Sequence, residues 1–165
     1  MSVYSEYTAD EQLLLRASHE AAAVAVSAAS PGRKEETVSE GYAAASYVLD
    51  SRAAYVGNPL VSSVIIELEA RVRADQPFPD YLKVASAPGA RQWAMETLRS
   101  VVALLDAKAA HDEADGYKVW LRRIASTTAE AGKEDQGFLG RGGVQVNDAE
   151  RAALQEIGEI LGSGS

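Results

Sequence analysis

Apolar side chains recur at helical spacing along most of the 165-residue chain. The clearest group occupies positions i, i+3, i+4 and i+7, which share one face of a helix. It comprises Tyr117, Trp120, Leu121 and Ile124. No run of strand length alternates β-branched with polar residues. The pattern therefore predicts an all-α fold, a single-domain bundle of about six helices.

The first predicted helix has a defined start and an unusual second half. Thr8 followed by Glu11 is a capping-box pattern, in which each side chain accepts a hydrogen bond from a free backbone N–H. The helix is expected to run to about Ala29 and to end before the Ser-Pro-Gly sequence at residues 30–32. Its second half, residues 21–29, consists mostly of small side chains, which allow a neighbouring helix to approach closely. We therefore expect a central helix, and the same face could pack against a second copy of the chain as a homodimer.

Two further signals place the next helices. The acidic pair Glu35-Glu36 suits the positive end of a second helix, which continues to about Val56. Asn58-Pro59 is an N-cap followed by proline at the first helical position, and it starts a third helix. The expected buried stripe of that helix comprises Leu60, Val64, Leu68 and Val72.

The rest of the chain contains a loop and three more helices. One short helical turn is expected around residues 80–84, inside a loop that ends at Pro88. A long helix then runs to near His111, and the next begins at Asp112. Asn147 opens the last helix, which is expected to stop at Gly162. The apolar sides of the long and last helices comprise Ala94, Leu98, Val101, Val102, Leu105, Leu154, Ile157 and Leu161.

No linker is long enough to divide the chain, so residues 1–165 are expected to form one helical domain, with residues 1–7 and 162–165 frayed. Residues 30–36 and 141–150 are both glycine elbows that lead into helices opened by acidic residues. They suggest a pseudo-duplicated helix–elbow–helix arrangement. The alternative is a chance similarity between two helix junctions.

The charge of the chain restricts its partners. Twenty-four acidic and 16 basic residues give a net charge of −8, which repels the phosphate backbone of nucleic acids. The nearest approach to a basic patch is Lys118, Arg122 and Arg123, a spacing typical of a solvated helix face. Arg16, His19 and Glu20 interrupt the apolar N-terminal stretch, so neither a signal peptide nor a membrane span is expected. The chain has no cysteine, which fits a reducing compartment, and we expect a cytoplasmic protein.

The last 60 residues or so resemble TerB-like, tellurite-resistance-associated proteins and related bacterial helical proteins of unknown role. The resemblance rests on residues 103–106 (Ala-Leu-Leu-Asp), 117–121 (Tyr-Lys-Val-Trp-Leu), 124–125 (Ile-Ala) and 146–150 (Val-Asn-Asp-Ala-Glu). It implies a helical fold and a stress-response module that binds a metal ion or an anion. In that family an Asp-Gly pair precedes the last helix, and its acids look suited to metal ions, whereas this chain has Gly143-Val144 there.

Two histidines stand beside acidic residues, as His19-Glu20 and His111-Asp112. Imidazole and carboxylate groups together are suitable ligands for a divalent metal ion. A di-iron carboxylate bundle, however, requires Glu-x-x-His motifs, and neither histidine has a glutamate three residues earlier. The alternative interpretation places His19 on a helix flank and His111 at a helix end, with no cofactor bound.

The glycine-rich loop at residues 137–143 is a second candidate site. Its backbone N–H groups could hold an anion around Arg141, Gly142 and Gly143. The loop is neither a Walker A motif nor a Rossmann fingerprint. Phe138 and Leu139 favour the alternative, in which the loop folds back and anchors itself on the core.

The chain shows no pattern typical of nucleophilic catalysis, such as Gly-x-Ser-x-Gly. The sequence therefore favours a small intracellular helical protein, non-enzymatic, that acts by binding a protein partner or by self-association. The alternative is the metal- or anion-binding stress-response module that the resemblance implies.

Overall fold

The computed structural model of the chain describes residues 4–29, 34–76, 81–137 and 147–162. These residues form seven α-helices and two 3₁₀ helices and include no strand, which confirms the all-α bundle. The α-helices are α1 (Ala9–Ser27), α2 (Lys34–Asp50), α3 (Pro59–Arg73), α4 (Tyr81–Ala85), α5 (Ala90–Lys108), α6 (His111–Gly137) and α7 (Asp148–Leu161). The 3₁₀ helices are Tyr4–Glu6 and Ser51–Tyr55. The short turn expected at residues 80–84 is α4.

The predicted caps are present. The Thr8 hydroxyl accepts from the Glu11 N–H at 3.3 Å, and the Glu11 carboxylate accepts from the Thr8 N–H at 2.8 Å. Asn147 makes the same reciprocal arrangement at the start of α7. The Asn58 side chain accepts from the N–H of Val61, the third residue of α3, at 3.0 Å. Each cap satisfies a backbone donor that has no partner within its own helix.

Helix α1 is the central helix, as its small residues predict. It packs against all six other α-helices, and most closely against α5 and α6. Every residue from Ala21 to Ser27 is buried. The proposal that this face forms a homodimer is therefore wrong, because the face is already covered within the chain.

The predicted apolar face of α6 is fully buried. Tyr117 donates its hydroxyl proton to the Leu15 carbonyl at 2.9 Å and meets the Trp120 ring edge-on, with ring centroids 5.2 Å apart. The Trp120 Nε1–H donates to the Ser51 hydroxyl at 3.2 Å. The polar atoms of the two large aromatic residues are thus hydrogen-bonded inside the core, as buried polar groups require.

A buried carboxylate lies where α1, α2 and α6 meet. The Ser27 hydroxyl donates to Glu40 Oε2 at 2.5 Å, and the Glu40 side chain is almost fully buried. A Cβ atom at Gly132 would lie 2.7 Å from Glu40 Oε1, so α6 approaches the carboxylate closely only because residue 132 is glycine.

The structure differs from the expected burial at two places, the last turn of α3 and the N-terminal segment. Val72 is 43% exposed, because the last turn of α3, residues 70–73, extends beyond the core. In the N-terminal segment that was expected to fray, Tyr4–Glu6 form a 3₁₀ helix and Tyr7 is buried. The Lys108 ammonium lies 5.7 Å from the centroid of the Tyr7 ring, which places this segment against α5.

Two of the three basic residues predicted on α6, Lys118 and Arg122, bridge helices, whereas Arg123 is exposed. Lys118 Nζ lies 2.6 Å from Asp106 of α5. Arg122 donates to the carbonyl oxygens of Leu161 and Gly162 at the end of α7. Across the described ranges, no helix is both long and apolar enough to cross a bilayer.

Candidate functional site

His19 lies inside the core of the bundle, and its expected position on a helix flank is wrong. Its Nδ1 atom is 2.5 Å from the Arg16 carbonyl oxygen, one turn earlier on α1. Burial lowers the pKa of His19 to about 4, although the Arg16 carbonyl opposes this shift. The imidazole is therefore neutral near pH 7, and its Nδ1–H donates to the carbonyl.

Glu20 is the neighbouring residue on α1 and is half-buried. Burial raises the pKa of its carboxyl group to about 7. Adjacent residues on a helix point about 100° apart and do not face each other. The described part of the chain contains no cluster of three or more His, Asp or Glu side chains that could hold a metal ion, around His19 and Glu20 or elsewhere.

His111 is the first residue of α6 rather than the end of the preceding helix. Ala109 and Ala110 separate it from α5, which ends at Lys108, so the predicted end of the long helix near His111 is about three residues too late. Its side chain is 95% exposed, and its Nε2 lies 3.4 Å from Asp115, one turn along α6. The expected position of His111 at a helix end is therefore wrong, because a helix start presents free N–H groups and not free carbonyl groups.

The third candidate, at Arg141, Gly142 and Gly143, lies outside the described residues, as do the central parts of both glycine elbows.

Asp112, in contrast, lies beside a cavity that the sequence did not predict. This cavity has a volume of about 380 Å³. It lies between two segments about 55 positions apart, and its lining comprises Ala54, Tyr55, Gly57, Asn58, Pro59, Ala110, Asp112, Glu113 and Gly116.

Asn58 holds the two walls of this cavity together. Its Oδ1 caps α3, and its Nδ2 donates to the Glu113 carbonyl of α6 at 2.9 Å. A Cβ atom at Gly116 would lie 2.5 Å from that Nδ2, which is shorter than a non-bonded contact allows. Glycine at position 116 therefore lets the Asn58 amide lie against α6.

The charged groups of the cavity lining are two carboxylates. Glu113 is only 4% exposed, and its side chain accepts from the Ala110 N–H at 3.4 Å, as a residue at the third position of a helix commonly does. Asp112 is exposed at the rim. Lysine, arginine and histidine do not occur among these lining residues. The described lining offers no nucleophile paired with a base.

The second notable surface is the outward face of α2. Val38 is 52% exposed and Tyr42 is 77% exposed, and Leu49 is half-buried. At about 100° per residue these three side chains fall within roughly 40° of each other around the helix. Ser39 and Ser46 border them on one side, and the described side chains on this face between positions 38 and 49 carry no charge. We call these five residues the α2 face.

Sequence reasoning did not single out Asn58 as a bridge, Glu113 as a lining residue or the α2 face. One local signal was available, because a glycine inside a helical pattern often marks a close approach, and Gly116 has that role. Comparison of the chain with protein-family models, curated proteins and solved structures finds no match.

Proposed function

We propose that the protein is a non-enzymatic cytoplasmic module that acts by self-association, with the α2 face as the contact between two copies. The observation that carries this proposal is an exposed apolar stripe without charge on an otherwise acidic, highly charged chain. The cytoplasmic location is inferred from the absence of cysteine. The alanine-rich part of α1, which first suggested a dimer, has no part in this proposal.

Charge favours this face over other surfaces for contact between identical copies. Each copy carries a net charge of −8, so most pairs of surfaces would bring carboxylates together. The α2 face brings none. Two copies can therefore meet there without the repulsion that opposes other contacts between identical acidic chains.

Symmetry gives the contact a specific form. Dimers of identical chains are most often related by a two-fold axis, which presents the same patch of each copy to the other. Two antiparallel α2 helices place Val38 of one copy opposite Leu49 of the other, over about 16 Å of helix at 1.5 Å per residue. Tyr42, the most exposed member of the α2 face, then lies near the axis. Small serine side chains beside it allow close approach of the helices.

The test is the mass of the purified protein in solution over a range of concentrations, measured by analytical ultracentrifugation. We expect dimers at roughly 100 μM that dissociate on dilution, because a contact of one helix face is small. Tyr42→Glu introduces a carboxylate near the axis and should leave the protein monomeric. Val56→Glu is the matched control, because Val56 is 81% exposed but lies outside the α2 face, and it should dimerise like the unmodified protein.

Circular dichroism and unfolding of both variants establish that each substitution leaves the bundle folded. A chain that stays monomeric at the highest concentration contradicts the proposal. Dimers that form equally well with Tyr42→Glu also contradict it, because the contact would then lie elsewhere.

A further inference from the structure

We propose that the outward face of the first half of α1 binds a helix of another protein through a lysine or arginine side chain of that partner. The face comprises Ala9, Leu13, Ala17 and Glu20, which at about 100° per residue fall within roughly 80° of each other around the helix. We call these four residues the α1 stripe. The α1 stripe is separate from the α2 face, and this inference does not rest on self-association.

The α1 stripe is a part of the central helix that the bundle leaves uncovered. Leu13 is 57% exposed, Ala9 is exposed and Ala17 is half-buried. Every residue from Ala21 to Ser27, in the second half of the same helix, is buried. Leu13 therefore offers an apolar contact to a partner, and the small alanines beside it allow a second helix to approach closely.

The charged residues on the flanks of the α1 stripe have partners of their own. On one flank, Arg16 Nη1 lies 3.9 Å from the Glu67 carboxylate of α3. On the other flank, the Glu11 carboxylate accepts from Lys108 Nζ of α5 at 2.7 Å. These side chains pair with neighbouring helices, and none of them pairs with Glu20.

Glu20 indicates the chemistry of the partner. Its carboxylate is half-buried but not enclosed, and none of the described residues donates a hydrogen bond to it or forms an ion pair with it. Burial raises the pKa of this group to about 7, because no nearby positive charge offsets the partial loss of water. A cationic side chain placed beside Glu20 favours the ionised form and replaces the lost hydration with a charge-assisted hydrogen bond.

Other occupants fit the α1 stripe less well. A second copy that presents the same stripe brings no cation, because the four residues include no basic side chain. A metal ion such as calcium takes six to eight oxygen ligands, and the described residues contain no cluster of three or more acidic or histidine side chains. The net charge of −8 repels nucleic acid but attracts a basic segment of another protein.

The spacing along α1 determines the pattern that the partner must carry. Leu13 and Glu20 are seven residues apart, which is about 10.5 Å along the axis at 1.5 Å per residue. A helix that lies along the α1 stripe presents its own residues i and i+7 at the same separation. We therefore expect an apolar residue opposite Leu13, a lysine or arginine opposite Glu20, and small residues between them.

The experiment is a titration of the protein with alanine-rich helical peptides of about 16 residues, followed by fluorescence anisotropy of a dye on the peptide. Two peptides carry lysine and leucine at i and i+7, one in each order, and matched peptides replace the lysine with glutamine. At about pH 8, where Glu20 is ionised, we expect one lysine peptide to bind saturably and about fivefold or more tighter than its glutamine match. At about pH 6 most of Glu20 is protonated, so the lysine peptide should bind up to about tenfold more weakly.

Two variants locate the contact on the α1 stripe. Glu20→Gln should reduce the affinity for the lysine peptide to that for the glutamine peptide and remove the dependence on pH. Leu13→Gln should weaken the binding of both peptides. Glu159→Gln on α7 and Val119→Gln on α6 change exposed residues of the same types elsewhere, and they should leave the affinity unchanged.

Circular dichroism of each variant establishes that the bundle is folded. The proposal is overturned if neither lysine peptide binds saturably, or if the glutamine peptides bind equally well. Unchanged affinity in both Glu20→Gln and Leu13→Gln also overturns it, because the peptide would then bind elsewhere on the acidic surface.

Discussion

The indole Nε1–H of Trp120 donates to the hydroxyl oxygen of Ser51 at 3.2 Å, across 69 positions of the chain. The Ser51 hydroxyl in turn donates to the Val48 carbonyl at 2.9 Å. Both residues are buried, so these direct hydrogen bonds connect the core face of α6 to the end of α2.

Ser51→Ala should therefore destabilise the protein. The substitution leaves the buried indole N–H without its acceptor, which costs about 1–3 kcal/mol in the free energy of unfolding. Ser100→Ala is the matched control, because the Ser100 hydroxyl donates to the Glu96 carbonyl on an exposed face of α5. The measurement is urea unfolding followed by tryptophan fluorescence. An equal effect of both substitutions would show that the Trp120 contact contributes nothing.

Gly116→Ala should destabilise the protein, whereas Gly158→Ala should not. Alanine normally stabilises a helix by up to about 1 kcal/mol relative to glycine. At Gly158 nothing lies within 4 Å of the added methyl group, but at Gly116 the methyl displaces the Asn58 amide. We expect a net loss of about 1–2 kcal/mol for Gly116→Ala.

A double-mutant cycle tests the reason for this loss. In the background of Asn58→Ala, which removes the obstructing amide, Gly116→Ala should cost less or become favourable. Thermal unfolding of the four proteins measures the cycle. Additive effects of the two substitutions would contradict the close approach of Asn58 to α6.

His19 and Glu20 should give the stability opposite dependences on pH. The pKa of His19 is lowered from 6.5 to about 4, so between these values the unfolded chain binds a proton that the folded chain does not. His19 therefore makes the protein more stable as the pH rises from 4 to 6.5, by about 3 kcal/mol in total. The pKa of Glu20 is raised from 4.5 to about 7, so the folded chain keeps a proton that the unfolded chain loses, and stability falls as the pH rises through this range.

Single variants separate the two contributions. Relative to the unmodified protein, Glu20→Gln should become progressively more stable as the pH rises from 4.5 to 7. His19→Gln should lose the gain in stability that the unmodified protein shows as the pH rises from 4 to 6.5. Urea unfolding at several pH values measures both differences, with Glu159→Gln as the exposed control. If the stability of Glu20→Gln depends on pH in the same way as that of the unmodified protein, burial does not perturb this carboxyl group.

Arg122→Met should loosen the end of α7. The guanidinium group of Arg122 donates to the carbonyls of Leu161 and Gly162, which have no partners within their helix. Methionine retains the apolar stem, so the expected loss of about 1–2 kcal/mol reports on these hydrogen bonds. Arg99→Met is the control, because Arg99 makes only an exposed ion pair with Glu156 at 3.6 Å, and it should change stability by less than about 0.5 kcal/mol. Hydrogen exchange at Leu161 should accelerate only in Arg122→Met.

Much of the fold could be predicted from the sequence because the signals were local. The Thr8–Glu11 pair and Asn147 identify helix starts through hydrogen bonds that span three residues. The apolar face of α6 follows from helical spacing alone. His111 was assigned to the wrong helix because two alanines between α5 and α6 give no distinct stop signal. Val72 was expected to be buried because periodicity does not show where a helix extends beyond its neighbours.

The candidate site depends on contacts that spacing does not encode. Asn58 is recognisable as a cap, but its hydrogen bond to Glu113 crosses 55 positions and depends on how α3 and α6 pack. The cavity could not be predicted from spacing either, because the segments that line it lie about 55 positions apart in the chain. Of the residues that the sequence analysis selected, Asp112 lines the cavity, while His19, Glu20 and His111 do not. His19 and His111 each have an acidic neighbour in the sequence, but adjacent residues on a helix do not bring their side chains together.

The position of α1 at the centre of the bundle has a consequence for synthesis of the chain. The helix leaves the ribosome before every partner that covers it, and α7 follows roughly 120 residues later. Until α5 and α6, which cover most of it, have also been made, its alanine-rich side is exposed to other nascent chains. Fragments that end before α6 is complete are therefore expected to aggregate or to bind chaperones.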